Sequence, residues 1–419
     1  MNQIRRMRKN LVNVVGGELL LRVANAAVAV LIGRVYGVSV LGIYAAIIAA
    51  ATLAERLGDN GLELTAIAEV SRRPESLSDI ATALYIDKSA LSVVAAGLLA
   101  LAAWMLGFSQ SLWPIAVILV IRTFLYSYCR LNTGLLKALD NTKQIARIQA
   151  VHFLLLILSV LAIYLRHQNL QVLLWCLLGA QTLEFLLTCG VLSKLGLRRS
   201  VTSLAACWHM IRRSTPVGLT YTFSTLMLRG DVVVLSMIAS REEVGTFAAS
   251  NTALVFGYVI AWLFSGVLLS DLGTLSHDRE AFDSYFRKCL KLVLIFAVPA
   301  SLVSALLARP AILFVFGRNY EGAILPGALM MLALPFIFLN AAFLSRTVAR
   351  NAGRISLAIY GFTAVVSLLL NYSLGRWKGA VGIAGSIVIR EAVMTLLFVR
   401  IWNSRQSETE LEVAELMNA

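Results

Sequence analysis

The stretch LGIYAA, residues 41–46, recurs half a chain later as VGTFAA, residues 244–249. Both copies read as an apolar residue, glycine, any residue, an aromatic residue and two alanines. Small residues continue at helical spacing after each copy, as at Ala49 and Ala253. In lipid, such a face lets another helix approach closely. Although a short apolar match can also arise by chance, the recurrence predicts two similar halves.

The composition indicates that these halves lie in a membrane. Apolar residues make up 59% of the 419 residues and charged residues 14%, with a mean hydropathy of +0.79. Ordinary soluble domains are far less apolar. Stretches long enough to cross a hydrocarbon core of about 30 Å number twelve, six in each half. They cover 11–32, 39–58, 80–107, 112–129, 148–165, 170–193, 214–239, 244–272, 290–308, 323–344, 355–374 and 380–401.

Lysine and arginine are distributed unevenly between alternate loops. With Met1 in the cytoplasm, the inner loops are rich in basic residues, whereas outer loops hold few, such as Arg34 and Arg166. This asymmetry predicts that both termini are cytoplasmic. It also accounts for the net charge of +14 without a nucleic-acid partner. The predicted organisation is a basic N-terminus (1–10), a first lobe of six helices (11–193), a cytoplasmic linker loop (194–213), a second lobe of six helices (214–402) and a cytoplasmic tail (403–419).

The short loops argue against an enzyme. The longest outer loop, near 309–319, and the inner loop 194–213 are both too small for a folded domain. The sequence contains no phosphate-binding glycine loop, no nucleophile motif and no metal-ligand spacing among its histidines. We therefore expect no cofactor and no metal. The five cysteines fall in membrane segments or on the cytoplasmic side, where disulfides are not expected.

Basic residues also occur inside the predicted spans. Arg56 and Lys88 lie near the inner ends of their helices and are expected to reach water by snorkelling. Four arginines lie deeper, where a charge costs several kcal/mol and is normally paired or faces an aqueous cavity. These four are Arg22, Arg122, Arg229 and Arg390.

Spacing allows one direct ion pair in the first half and excludes another in the second. Glu18 precedes Arg22 by four residues, the favourable order for a pair on one helix. Arg229 and Asp231 are two apart, so their side chains point in roughly opposite directions. The Arg22 charge is therefore either neutralised by Glu18 or exposed to a cavity.

The remaining charges have no obvious partner within their own helix. Arg390 and Glu391 are adjacent and diverge by about 100°, so at least one needs a partner on another helix. Arg122 has no acid within one turn. Glu184, at mid-depth in the sixth span, is free to pair with Arg122, with Arg22 or with neither.

Two interpretations of these charges stay open. The four arginines line a cationic cavity that suits an anionic substrate, since guanidinium binds phosphate through two hydrogen bonds. Alternatively, they form interhelical salt bridges without a substrate role. The intramembrane acids are candidates for ion coupling or for pairing with the arginines. These acids are Glu18, Glu184, Asp231 and Glu391.

Short phrases along the chain carry a family resemblance. They are GRVYG at 33–37, LGIY at 41–44, LGDNGL at 57–62, RGD at 229–231, EVGTF at 243–247, FGRNY at 316–320 and GAVGIAG at 379–385. In this order, the chain resembles the polysaccharide and O-antigen flippases of the multidrug/oligosaccharidyl-lipid/polysaccharide (MOP) exporter superfamily over most of its length. Phe247 departs from the family's commoner tyrosine, and the related lipid II flippases usually have two further helices.

The resemblance implies an all-α polytopic membrane protein of twelve transmembrane helices, in two six-helix lobes around a central cavity that opens alternately to each side. It implies a flippase in the bacterial inner membrane that translocates an undecaprenyl-diphosphate-linked oligosaccharide repeat unit. The unit would serve O-antigen (lipopolysaccharide), capsule or exopolysaccharide synthesis. A polysaccharide polymerase and chain-length proteins would then be partners.

Two other classes stay open. A MATE-like cation-coupled drug antiporter of the same superfamily would be expected to carry unpaired acids in its cavity, where this chain has arginines. An integral-membrane polysaccharide polymerase or ligase would need a larger loop than the chain offers.

Overall fold

The protein is all-helical in the part of the chain that the structure describes. The computed structural model covers residues 2–105, 108–166, 169–198, 200–275, 278–350 and 352–418, with side chains between residues 16 and 403 except Glu18. Thirteen α-helices occur in these ranges, with short helical turns between some of them and no strand. The predicted all-α fold is confirmed.

The helices are, in chain order, α1 Asn2–Leu31, α2 Val38–Asp59, α3 Leu62–Arg72, α4 Leu77–Met105, α5 Trp113–Ala138, α6 Thr142–Arg166, α7 Leu170–Lys194, α8 Leu204–Ile238, α9 Arg241–Thr274, α10 Arg279–Val315, α11 Ile324–Met331, α12 Leu334–Ala349 and α13 Gly353–Asn418. Because α8 begins at Leu204, helix extends through the second half of the segment 194–213.

The chain forms two compact units, Met1–Val233 and Val234–Ala419. In unit 1, α1 packs against α6, α6 against α7, and α7 against α5, while α2 packs against α4 and α5. In unit 2, α9 packs against α11 and α12, α10 also packs against both, and α13 contacts α11 and α12. The division of the sequence into two six-helix lobes and a linker remains a proposal.

A two-residue turn separates α2 from α3 in unit 1. Asn60 and Gly61 both adopt left-handed backbone conformations, with φ of 42° and 78°. The turn lies directly against α8: a Cβ atom on Gly61 would lie 2.8 Å from both the Gly218 nitrogen and the Ser214 carbonyl oxygen. Asn60 Nδ2 donates a hydrogen bond to Thr215 Oγ1 at 2.9 Å. We call this contact the glycine contact; it fixes the first half of α8 on the α2–α3 turn.

The long helix α13 reverses direction at Gly379, where φ is 55° and ψ is −132°. Arg390 donates to Ser367 Oγ at 3.3 Å, although the two residues are 23 positions apart in the sequence. In a straight helix that separation would correspond to about 34 Å. The Ala380 N–H donates to Glu243 Oε1 at 2.8 Å and so receives a partner at the start of the returning helix. Two antiparallel helices therefore follow one another within α13.

By length and composition, 10 described helices could cross a membrane, or up to 11 if α11 and α12, bent by 43°, form one span with the turn before them. That count takes α13 as one span. The reversal at Gly379 gives α13 two antiparallel halves, which correspond to the predicted spans 355–374 and 380–401. The number twelve stays a prediction.

Candidate functional site

Two arginines of unit 1 lie within electrostatic reach of a third, and the three belong to three helices. Arg22 lies on α1, Arg56 near the end of α2, and Arg229 on α8. The charges of Arg22 and Arg56 both act on the Arg229 guanidinium, together with the phenol of Tyr44 on α2. We call Arg22, Arg56 and Arg229 the arginine group. Two of its members were predicted as cavity residues, and Arg56 is an addition.

The arginine group is accessible although it lies within membrane helices. The Arg22 side chain is exposed and that of Arg229 is half-buried. Arg56 is 20% exposed and lies 3.6 Å, Nε to Oε2, from Glu55. Because exposing arginine to lipid at mid-depth costs about 2.5–3.5 kcal/mol on insertion scales, these side chains are best accommodated where they face water. A water-facing group of like charges is chemically suited to binding an anion.

Lys88 does not reach water. Its side chain is 0% exposed, and its Nζ lies 2.5 Å from Asp59 Oδ1. The snorkelling prediction for Lys88 is therefore wrong, because an acid at the end of α2 meets it inside the bundle. Removing either charge would leave the other one buried without compensation, which is strongly destabilising.

An ionic network extends from this pair to α3 and to the end of α5. Arg130 of α5 forms salt bridges with Glu63 and with Glu55, the latter at 3.8 Å, and Lys137 lies 3.7 Å from Glu63. The sequence analysis missed this network. Its signal in the sequence is the recurrence of an acid at Glu55, Asp59 and Glu63, around the end of α2 and the start of α3.

Arg122 has a neutral partner. It is 9% exposed, and its Nη2 donates to Asn25 Oδ1 on α1 at 2.9 Å. Its Nε is buried and has no hydrogen-bond partner among the described residues. Arg122 therefore joins α5 to α1.

Arg390 lies in a buried polar network of unit 2. Its Nε is 3.4 Å from Glu391 Oε1, and its Nη2 donates to Tyr258 at 3.3 Å. Glu391 in turn accepts hydrogen bonds from Tyr258 at 2.8 Å and from Asn340 at 2.9 Å. Arg390 and Glu391 therefore form a pair, although adjacent side chains on a helix were expected to diverge. The expected partners on other helices, Tyr258 and Asn340, are also present. Arg390 is 1% exposed, so it is enclosed by protein.

Glu184 pairs with a histidine. Its Oε2 lies within hydrogen-bonding distance, 2.5 Å, of His152 Nδ1 and accepts a hydrogen bond from Gln181 Nε2 at 2.6 Å. The sequence analysis considered histidines only as metal ligands and missed this pair. The described residues contain no group of three or more histidine, cysteine, aspartate or glutamate side chains that could hold a metal ion.

Of the other two predicted acids, the structure describes the side chain of one, Asp231. Asp231 of α8 is buried, with 2% of its surface exposed. The side chain of Glu18 lies outside the described residues, so its expected pairing with Arg22 stays a prediction.

The fold belongs to a known class of membrane transporter. The chain superposes on "Lipid II flippase MurJ, inward closed conformation" with a TM-score of 0.76 at 15% identity, covering 92% of this chain and 86% of that one. A multidrug resistance MATE family transporter of the MOP superfamily, in an inward-facing conformation, gives 0.69 at 16% identity, with 97% and 99% covered. At these identities the likeness shows the fold alone, which this chain shares with solved transporters of the MOP superfamily.

A third structure of this class is a MOP superfamily transporter from Pyrococcus furiosus, with a TM-score of 0.62 at 16% identity, covering 96% of this chain and 95% of that one. A family profile described as "Polysaccharide biosynthesis protein" matches residues 41–325. The chain therefore belongs to this family of polysaccharide biosynthesis proteins. No curated protein sequence matches the chain.

Proposed function

We propose that the protein is a flippase that moves an anionic, lipid-linked oligosaccharide across the bacterial inner membrane by alternating access. The arginine group is the observation that carries this proposal. The charges of Arg22 and Arg56 both act on Arg229 inside membrane helices, and a bound diphosphate would relieve this repulsion. Guanidinium matches phosphate oxygens with paired hydrogen bonds.

The substrate class follows from chemistry and family together. Membership of a polysaccharide biosynthesis family supports a sugar cargo, and the likeness to a protein named a lipid II flippase supports a lipid carrier. We infer an undecaprenyl-diphosphate-linked repeat unit, flipped outward for surface polysaccharide such as O-antigen, capsule or exopolysaccharide. The diphosphate would lie at the arginine group while the polyprenyl tail stays in lipid. A polymerase and chain-length proteins would use the flipped unit.

The roles of the four predicted arginines divide in this proposal. Arg22 and Arg229, with Arg56, would bind substrate. Arg122 and Arg390 would stabilise the helix bundle, because each is at least nine-tenths buried and bonded to another helix. A drug antiporter for cations is less compatible with a positive binding group, since like charges repel.

The proposal is tested first by deleting the gene. A flippase mutant should accumulate the lipid-linked oligosaccharide on the cytoplasmic face and lose surface polysaccharide. In the complemented strain, Arg229→Gln should lower surface polysaccharide at least tenfold, with Arg229→Lys intermediate because it keeps charge without the paired donors. Arg166→Gln, at the exposed end of α6, is the matched control and should behave as wild type.

Two results would contradict the proposal. One is intact surface polysaccharide in the deletion strain, without accumulated intermediate. The other is wild-type export by Arg22→Gln and Arg229→Gln variants that reach normal amounts in the membrane.

A further inference from the structure

We propose that three arginines of unit 2 bind the headgroup of an anionic phospholipid. They are Arg346 near the end of α12, Arg350 directly after that helix, and Arg279 at the start of α10. The distribution of basic residues predicts that this end of the helices is cytoplasmic. The site belongs to unit 2, whereas the arginine group belongs to unit 1, and its occupancy does not depend on the proposed transport function.

Aromatic rings hold Arg346 and Arg350 in place. The guanidinium carbon of Arg350 lies 4.0 Å from the centroid of the Phe282 ring. That of Arg346 lies 5.2 Å from the Phe286 ring and 5.1 Å from the Trp402 ring. A guanidinium stacked on a ring keeps its N–H donors at its edges, where they match a phosphate group. We call Arg346 and Arg350 the stacked arginines.

The stacked arginines carry more positive charge than their bonded acid offsets. Arg346 Nη2 donates to Asp283 Oδ1 at 2.7 Å. The charges of Arg350 and Arg279 also act on the Arg346 guanidinium, and like charges repel. An anion bound beside the three arginines would relieve this repulsion.

The surface around the stacked arginines is basic as well. Segments 278–291 and 346–354 contain seven basic and three acidic residues. Six of these basic residues are exposed, namely Arg279, Arg287, Lys288, Lys291, Arg350 and Arg354. A cluster of this kind attracts the anionic headgroups of a cytoplasmic leaflet.

The stacked arginines lie where two helices leave their apolar spans. Arg346 closely follows the predicted span 323–344, and Trp402 directly follows the predicted span 380–401. Tryptophan is enriched at membrane–water interfaces. The contact between Arg346 and Trp402 therefore indicates the level of the lipid headgroups.

The exposed face of α10 indicates the same level. Its exposed residues change from basic at Lys288 and Lys291 to apolar at Leu292, Ile295 and Phe296. An exposed apolar stretch of a membrane helix faces acyl chains, so the basic residues beside it meet headgroups. Because the basic surface continues into a lipid-facing one, we infer a phospholipid as the ligand and not a soluble anion.

Thermal unfolding of the purified full-length protein in detergent tests the site without any transport substrate. Added phosphatidylglycerol should raise the unfolding temperature until the site is saturated, because a ligand of the folded state stabilises it. Phosphatidylethanolamine with the same acyl chains, which has no net charge, should raise it far less. Inorganic phosphate should also have little effect, because it lacks acyl chains.

Substitution of an exposed arginine locates the site. Arg350→Gln should weaken the apparent affinity for phosphatidylglycerol about tenfold, because hydrogen bonds to a charged group are lost. Arg350→Lys should be intermediate, since it keeps the charge but not the stacked, paired donors. Arg376→Gln is the matched control and should bind as the wild type does. Arg376 is also exposed and lies over a ring, 5.7 Å from the Tyr372 centroid, but beside the reversal at Gly379.

Three results would overturn the site. They are equal stabilisation by phosphatidylglycerol and phosphatidylethanolamine, equal stabilisation by inorganic phosphate, and wild-type affinity for phosphatidylglycerol in Arg350→Gln. If Arg350→Gln does not accumulate in the membrane, Arg279→Gln replaces it with the same expectations. Native mass spectrometry gives a second measurement, in which Arg350→Gln should retain fewer phosphatidylglycerol molecules than Arg376→Gln. Equal retention by these two variants would also contradict the proposal.

Discussion

Charged side chains inside the bundle differ by what surrounds them. Lys88 and Arg390 are almost fully enclosed, and each has an acid within 3.4 Å. Arg22 is exposed, and the charges that act on Arg229 include two further arginines. Enclosed pairs hold helices together, whereas an accessible group of one sign can receive a ligand of the opposite sign.

Removing one member of the Lys88–Asp59 pair should strongly destabilise the protein. In Lys88→Met the carboxylate of Asp59 stays buried without its bonded lysine. We expect a loss of about 3–5 kcal/mol in the free energy of unfolding, towards the lower end because Arg130 also acts on Asp59. Thermal unfolding of the purified protein in detergent measures the change.

The double variant Lys88→Met with Asp59→Leu is the informative control, because replacing both charges by apolar groups restores most of the stability. Lys378→Met, on an exposed residue, should have little effect. A fully stable Lys88→Met protein would contradict the importance of the pair.

The sequence allows a prediction of the depth of these charges but not of their partners. Position along an apolar span identifies Arg22 and Arg229 as intramembrane residues, since depth depends only on local composition. The partnership of His152 with Glu184 depends on how α6 packs against α7, which no local pattern reveals. Arg390 pairs with its neighbour Glu391 because long side chains bend towards a shared partner, here Tyr258.

At the scale of the elements, the glycine contact joins α8 to the turn between α2 and α3. A Cβ atom on Gly218 would collide with the carbonyl group of Asn60, and backbone atoms cannot rotate away as a flexible side chain can. The neighbouring Arg213 Nη1 lies 2.5 Å from Glu69 Oε1. These contacts bring the backbone of α8 directly against the backbone of the α2–α3 turn. A side chain at residue 218 would not fit between them, which explains the glycine in this helix.

Adding one methyl group should therefore break the glycine contact. We expect Gly218→Ala to lower the free energy of unfolding by about 1–3 kcal/mol, the usual cost of overpacking. Gly97→Ala is a matched control within α4, because nothing lies within 4 Å of the added atom. That variant should be neutral or slightly stabilising, since alanine favours helix.

Thermal unfolding of both variants in the same detergent gives the comparison. A cysteine pair at Asn60 and Thr215 provides a second measurement, because disulfide formation should be efficient in the parent and reduced by Gly218→Ala. Equal stability and equal cross-linking of the two alanine variants would contradict the close approach.

For the whole molecule, the distribution of basic residues predicts a topology that labelling can test. In a variant without the native cysteines, single cysteines at Gln110, Asn319 and Lys378 should react with an impermeant maleimide on intact cells. Cysteines at Glu75 and Asp140 should react only after permeabilisation. Gln110, Asn319, Glu75 and Asp140 lie between α-helices, and Lys378 lies beside the reversal of α13 at Gly379.

The Lys378 position tests the number of spans, because it reacts from outside only if α13 crosses the membrane twice. Labelling of Glu75 in intact cells would contradict the orientation, whereas protection of Lys378 while Gln110 and Asn319 are labelled would contradict the two crossings of α13.

Sequence alone could predict a helical membrane protein, since hydropathy depends on composition. It placed the two final spans at 355–374 and 380–401, and the structure reverses the chain between them at Gly379. The bend of 43° between α11 and α12 was not predicted, because the predicted span 323–344 is apolar through the break.

The reversal at Gly379 also bears on the order in which the protein is made. Its supporting carboxylate belongs to Glu243 at the start of α9, and Ser240 in turn caps that helix by accepting the Glu243 N–H. A ribosome completes α9 long before it reaches Gly379. The hydrogen-bond acceptor for the turn at Gly379, the Glu243 carboxylate, is therefore already in the bilayer when that turn is synthesised. The last helical hairpin can therefore be guided into place during synthesis by a helix that was inserted earlier.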